Sequence, residues 1–184
     1  MGYKILAINP GSTSTKIAVF EDHKQVFTHT IRHSSEELSG FEKIADQYEF
    51  RKEAILKTLS DNDISINELS VIVGRGGLLK PIQSGVYEVN ERMIEDLTIG
   101  VSGEHASNLG GLIAANLANE SSGCRAYIAD PVVVDELEPV ARVSGHPLLP
   151  KVSIFHALNQ KAIAKMYAHS EGKKYEDLNL IVAH

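Results

Sequence analysis

Ile5-Leu6-Ala7-Ile8 is a short apolar run halted by Asn9-Pro10-Gly11, a combination that ends a strand and turns the chain. Ile17-Ala18-Val19-Phe20 predicts a second strand and Gln25 to Ile31 a third, with Glu21-Asp22-His23 as the hairpin between them. The chain therefore opens as an antiparallel three-strand meander. Ser34 followed by Glu37 reads as a capping box opening a helix, and Phe41, Ile44, Ala45, Tyr48, Ile55, Leu56 and Leu59 recur at helical spacing beyond it. Leu69 to Val73 has the apolar continuity of a buried strand and runs into Gly74-Arg75-Gly76-Gly77. Met93 to Ile99 and Ala106 to Leu117 are predicted helices, and Ala126 to Ala129 is a further short strand ending at Asp130-Pro131.

Pro139, Gly145-His146-Pro147 and Pro150 mark a loop and a candidate boundary. Ala157 to Ala168 predicts a helix, and Leu180-Ile181-Val182-Ala183 a strand that stops at His184. Strands separated by helices after an opening meander imply an α/β domain built on a mixed sheet, with helices on its faces. The expected division is a first domain over 1–150 and, over 151–184, the first helix and strand of an incomplete second. A terminal apolar strand wants a pairing partner, so the chain is expected to be the front part of a longer protein.

Composition narrows the function classes. The chain has 184 residues, enough to bury a core without disulfides or metal. Its 24 acidic residues outnumber 18 Lys and Arg, for a net charge of −6, which argues against a general nucleic-acid binder. A single cysteine, Cys124, admits no internal disulfide and is expected to be a buried side chain in a reducing compartment. No signal peptide and no apolar run of membrane-spanning length is evident, so the expected location is the cytoplasm, with no membrane partner.

Candidate chemistry gathers at strand ends and helix starts. In Asn9-Pro10-Gly11-Ser12-Thr13-Ser14-Thr15-Lys16, Gly11 permits close approach of the backbone, hydroxyls and N–H groups can surround phosphate oxygens, and Lys16 adds a compact charge. The spacing is not that of a Walker A loop, and a polar hairpin turn would have the same composition. Arg75 stands among glycines at the end of a strand, free for bidentate recognition of carboxylate or phosphate, or simply solvated. Asp130 lies at another strand end, where α/β sheets gather ligands, yet Asp-Pro also initiates turns. His105 sits with Asn108 near a predicted helix start, His156 at the entrance of the last helix, and His184 at the end of the last strand. His23, His29, His33 and His169 fall in turns or polar stretches and receive no role. No protein-borne metal centre is expected from the histidines.

The block Ala7 to Lys16 resembles the first signature of the acetate and butyrate kinase family, Asn-x-Gly-Ser followed by hydroxyl residues and Lys. Arg75-Gly76-Gly77-Leu78-Leu79, Gly103-Glu104-His105-Ala106-Ser107-Asn108-Leu109-Gly110 and Asp130-Pro131-Val132-Val133-Val134-Asp135-Glu136 are similar to further blocks of that family. So are Ala141 to Pro147 and Ile154-Phe155-His156-Ala157-Leu158-Asn159-Gln160-Lys161, all in the family's order and with the butyrate branch the closer match. Asn159-Gln160 stand where the acetate branch carries a second histidine.

The resemblance implies an actin-like (RNase H-like) ATPase fold, whose two related domains close on ATP, and phosphoryl transfer from ATP to a short-chain fatty acid with Mg2+. It implies that Asn9, Gly11, Ser12, Ser14 and Lys16 line a phosphate loop. Arg75 would hold the acceptor carboxylate or the transferring phosphoryl group, and Asp130 would position Mg2+ or the reacting oxygens. His156 and His184 would contact phosphoryl oxygens, while His105 and Asn108 are substrate-pocket candidates. Expected partners are a short-chain fatty acid and ATP, without nucleic acid, in a homo-oligomer. In the family a glycine-rich second phosphate loop follows the position of His184, so a polypeptide of these 184 residues alone is expected to be inactive. A kinase of acetate, propionate or a branched acid, or a non-catalytic module of the same fold, remain the competing readings.

Overall fold

The structure, a computed structural model, describes residues 2–129, 131–153 and 157–183. They gather into two compact units, one of residues 1–80 and 85–131, the other of 81–84 and 132–184. The meander appears as β1 (Lys4–Pro10), β2 (Ser14–Glu21) and β3 (Lys24–Arg32). Helix α1 (Ser35–Leu38), α2 (Tyr48–Ser60), β4 (Val71–Arg75), β5 (Val86–Glu88), α3 (Glu91–Ile99), α4 (Asn108–Glu120), β6 (Arg125–Ala129) and α5 (Ala157–Ser170) follow. All six strands belong to one mixed sheet of order β3-β2-β1-β4-β6-β5, with β1, β4 and β6 parallel to one another and the other pairings antiparallel.

The period-2 alternation of β1 and β2 decides which face is dry. Leu6 pairs with Val19, Ile8 with Ile17 and Pro10 with Thr15, and all six are buried on one face. Asn9 pairs with Lys16 on the other. Ile72 and Ile128 extend the buried face across β4 and β6, and α4 packs against it. Ten residues of α4, from Asn108 to Ala118, are buried, which explains why it is rich in Ala and Leu and carries almost no charge.

Helix α4 also contains Gly110 and Gly111, each of which costs a helix roughly 0.5–1 kcal/mol relative to Ala. Their reason is contact. A Cβ on Gly74 of β4 would lie 2.3 Å from the carbonyl carbon and oxygen of Gly110, and one on Gly111 would lie 2.7 Å from Leu97. Backbone therefore meets backbone where α4 crosses β4, one residue before Arg75.

The capping box is formed: the Ser34 hydroxyl accepts from the Glu37 N–H, and the Glu37 carboxylate accepts from the Ser34 N–H. Asn90 caps α3 through its side-chain oxygen alone, which accepts from the Met93 N–H at 3.0 Å, and Gly100 ends the helix with φ 65°. The periodic stretch from Phe41 is not one helix, since α2 begins at Tyr48 after a short 3-10 turn at Ala45–Gln47. Phe41 still packs on Phe50, with ring centroids 5.7 Å apart, so its apolar character reflects burial by a loop. Strand β5 escapes sequence prediction because three residues carry no alternation to read; its ladder to β6 defines it. Conversely, residues 180–183 form no strand. They pair with no other strand among the described residues, and Ile181 is 99% exposed. Cys124, expected inside, is half-buried, and that partial burial pushes its thiol up.

In the second unit Arg142 donates to both oxygens of Asp135, at 2.7 and 3.0 Å, across the 3-10 turn Pro139–Arg142. Lys161 of α5 pairs with Glu136, which also accepts from the Ser84 N–H. The Arg142 contacts, helped by the Leu137 N–H, lower the Asp135 carboxyl to about 2, and Lys161 does the same for Glu136, to about 2. A depressed carboxylate contributes stability above its unfolded pKa of ~4 and loses it as pH falls toward the folded value. We expect this unit to hold its loop unchanged from neutrality to about pH 4 and to release it between about pH 4 and 2. Carboxyl resonances of Asp135 and Glu136 followed through an acid titration should show their midpoints near 2. Midpoints at ordinary carboxylate values would mean that the pairs do not persist in solution.

Candidate functional site

The first unit brings three of the sequence candidates together at one end of the sheet. Asn9 is the penultimate residue of β1, Lys16 faces it across the β1–β2 ladder, and Arg75 ends β4, which runs parallel to β1. Asn9 and Arg75 meet at 3.4 Å through Nη1 and Oδ1, a long contact that leaves the exposed guanidinium largely available. Lys16 is exposed as well. Two cations and an amide thus share the sheet face opposite the core, beside a turn carrying Ser12, Thr13 and Ser14. Such a set suits a polyanion: hydroxyls, an amide and N–H groups hold oxygens while Lys and Arg neutralise them.

The turn is held from below. The Gly11 N–H donates to the Ser14 carbonyl at 2.7 Å, closing the loop on itself. Beneath it lies Arg51 of α2, fully buried, whose Nη1 donates to the carbonyls of Gly11 (2.7 Å) and Ser14 (3.2 Å) and to the Thr15 hydroxyl (3.1 Å). Its Nη2 donates to the Ser12 carbonyl at 3.0 Å, and Nε and Nη2 both reach the Gln47 side-chain oxygen. These partners are all neutral, and among the described residues no carboxylate pairs with Arg51. Burial lowers its pKa, yet an arginine starts so high that it stays charged.

His33 completes this cluster. Its Nε2 lies 2.9 Å from the Thr15 hydroxyl, and its ring tilts against Phe50 at 5.3 Å. Burial, and then the charge of Arg51, lower its pKa, so the neutral ring accepts from Thr15 while Thr15 accepts from Arg51. Sequence reasoning gave neither residue a role. Arg51 sits in Arg51-Lys52-Glu53, which reads as a solvated charge cluster, and His33 in a polar stretch. Its one sequence cue was proximity to the capping box.

A second pair of loops flanks Arg75. Gly76 and Gly77 have φ of 82° and 113°, a region that favours glycine, and a Cβ on Gly77 would meet Leu97 at 2.9 Å. Asn108 is buried at the start of α4. Its carbonyl accepts from the Leu78 N–H at 2.8 Å and its amide donates to the Gly103 carbonyl at 3.0 Å. In this structure Asn108 ties the glycine loop after Arg75 to the loop carrying His105. The His105 Nδ1 accepts from the Ser107 N–H at 3.1 Å and lies 2.8 Å from the Ser107 hydroxyl.

Asp130, His156 and His184 lie outside the described residues. Ala129, in register with Arg75, is the described end of β6. No cluster of three or more His, Cys, Asp or Glu among the described residues could hold a metal ion, and no helix among them is long and apolar enough to cross a membrane.

No protein-family model matches the chain. Butyrate kinase 2 of Clostridium acetobutylicum is 61% identical to it over 184 residues, 100% of this chain and 51% of that protein. Butyrate kinase 1 of the same organism is 58% identical over 182 residues, 99% of this chain and 51% of that protein. A probable butyrate kinase of Clostridium botulinum is 57% identical over 184 residues, covering 52% of its length. Among solved structures, a propionate kinase from Francisella tularensis superposes with TM-score 0.61 at 14% identity, over 93% of this chain and 50% of its own. Acetate kinase from Entamoeba histolytica gives TM-score 0.58 at 16% identity, over 90% of this chain and 47% of its own. That likeness is one of fold, the actin-like ATPase fold, in which the opening meander and parallel β1, β4 and β6 find their place. Along its whole length the chain is similar in sequence to butyrate kinases, and it spans about half the length of the curated relatives it matches.

Proposed function

We propose that this chain is part of an ATP-dependent carboxylate kinase that converts butyrate and ATP to butyryl phosphate and ADP. The observation that carries the reading is the convergence of Asn9, Lys16 and Arg75 beside the hydroxyl-rich turn, in a chain 61% identical to a butyrate kinase. A carboxylate oxygen attacks the γ-phosphorus in line, the bond to the bridging oxygen breaks, and ADP leaves with that electron pair. The nucleophile is already ionised at neutral pH, so no proton moves and no general base is needed. Catalysis then rests on alignment and on neutralising the equatorial oxygens.

In this reading Asn9, Gly11, Ser12, Ser14 and Lys16 hold nucleotide phosphates, and Arg75 meets the acceptor carboxylate or the transferring group. His156 and His184 contact phosphoryl oxygens, and His105 with Asn108 shapes the acyl side. Mg2+ would neutralise phosphate charge when bound. It keeps several waters and binds through one or two carboxylates plus phosphates, so the hydroxyls and amide around Asn9 to Ser14 suit an ion carried in on the nucleotide, and in this reading Asp130 would supply a carboxylate. A cytoplasmic homo-oligomer, a first domain over 1–150 and the opening of a second over 151–184 complete the proposal.

The test uses a polypeptide of the relatives' full length that carries these residues, with hydroxylamine trapping acyl phosphate. Hydroxamate should form with butyrate only when Mg-ATP is present. Asp130→Asn should lower kcat and move the Mg2+ activation curve to higher concentration. No hydroxamate with butyrate or any other short-chain acid would end the kinase reading, and superimposable Mg2+ curves would remove the metal from Asp130.

A further inference from the structure

We propose that Arg51 is the positioning residue of the Asn9–Lys16 turn, setting its affinity for nucleotide phosphates from beneath without touching them. The inference rests on the kinase reading above and adds to it a residue that no sequence signal marks. Three observations carry it. First, the guanidinium draws the carbonyls of Gly11, Ser12 and Ser14 inward on one rigid fork. Peptide carbonyl and N–H point in opposite directions, so pulling carbonyls down turns neighbouring N–H groups outward. The N–H groups of Ser12 and Thr13, both exposed residues, meet no acceptor among the described residues. Second, the charge is fully buried and bonded only to neutral groups. A buried cation without a carboxylate is costly unless an anion completes it, and the exposed side of this turn is where one would sit. Third, the fork is itself braced, by Gln47 on one side and by the Thr15–His33 pair on the other.

Lysine keeps the charge but not the fork, so Arg51→Lys separates the two contributions. In the full-length enzyme we expect Arg51→Lys to raise KM for ATP about tenfold and lower kcat on the order of tenfold, with KM for butyrate within about twofold. Arg51→Met, which loses charge as well, should be worse in the same direction. A general loss of structure would instead lower the amount of active enzyme and leave both KM values alone. Gln47→Ala, which removes only the brace, should raise KM for ATP about threefold, and it carries the test if the Arg51 variants fail to fold. Unchanged KM for ATP in a folded Arg51→Lys enzyme, or in Gln47→Ala when that variant decides, would overturn the proposal. If the parent makes no acyl phosphate, the kinase reading fails separately and the amide resonances of Ser12 and Thr13 decide. Titrated with ATP, they should shift in the parent at about tenfold lower concentration than in Arg51→Lys; equal midpoints in both, or no shift in the parent, would dismiss Arg51.

Discussion

Arg75→Ala should lower kcat for butyryl phosphate formation at least ~10²-fold in the full-length enzyme, with melting temperature unchanged to within about 1 °C. The two halves of this expectation come from the same geometry. Arg75 is exposed, and its one long contact, to Asn9, contributes little to folding. Its value lies in the charge it brings to the sheet end where Lys16 and the hydroxyl turn also stand. Charge that develops on equatorial phosphoryl oxygens is neutralised more in the transition state than in the ground state, so the loss should appear in kcat. Arg75→Lys should recover only part of the rate, because a point charge cannot meet two oxygens in a plane. An Arg75→Ala enzyme turning over butyrate at a near-normal rate would remove this residue from the mechanism.

Gly74→Ala, one residue earlier, should do the opposite: disrupt the fold first and the chemistry through it. The added methyl would stand 2.3 Å from the Gly110 carbonyl, a backbone atom that no rotamer change can move aside. Either α4 lifts from β4 or the end of β4 shifts. Overpacking of this kind costs typically 1–3 kcal/mol and sometimes more, and here the upper end is expected, since helix and strand both belong to the core. For a chain of this size that corresponds to a fall in melting temperature on the order of 10 °C. Thermal unfolding of the Gly74→Ala chain beside the parent is the measurement. A melting temperature within about 2 °C of the parent would show that α4 and β4 do not pack this closely in solution. Because Arg75 follows Gly74 directly, any surviving enzyme should also lose activity while keeping its arginine.

The pairing of these two positions also separates what is local from what is not. Reading Gly74-Arg75-Gly76-Gly77 as glycines around an arginine identifies Arg75 and is right for Gly76 and Gly77, whose positive φ values let the chain leave the strand. For Gly74 the reason lies thirty-six residues away, in Gly110. Neither glycine announces the other.

From the sequence alone come the opening meander, the capping box at Ser34, helices α3, α4 and α5, the buried strands β4 and β6, and the turn with its flanking Asn9 and Lys16. These follow from alternation, turn chemistry and capping, which act over a few residues and so are written in consecutive positions. Tertiary structure decided the rest. It inserted β4 between β1 and β6, which brings Arg75 to Asn9, and it made a strand of Val86–Glu88 by giving it β6 to pair with. Among the described residues it gave 180–183 no ladder, because a strand exists only through its neighbour. It buried Arg51 and His33, two residues whose types and neighbours speak for solvent, since the three carbonyls and the hydroxyl that satisfy them come from a turn some forty residues from Arg51 and about twenty from His33. Whether a polar side chain is solvated or structural depends on the groups that surround it once the chain is folded, and those groups are remote in sequence.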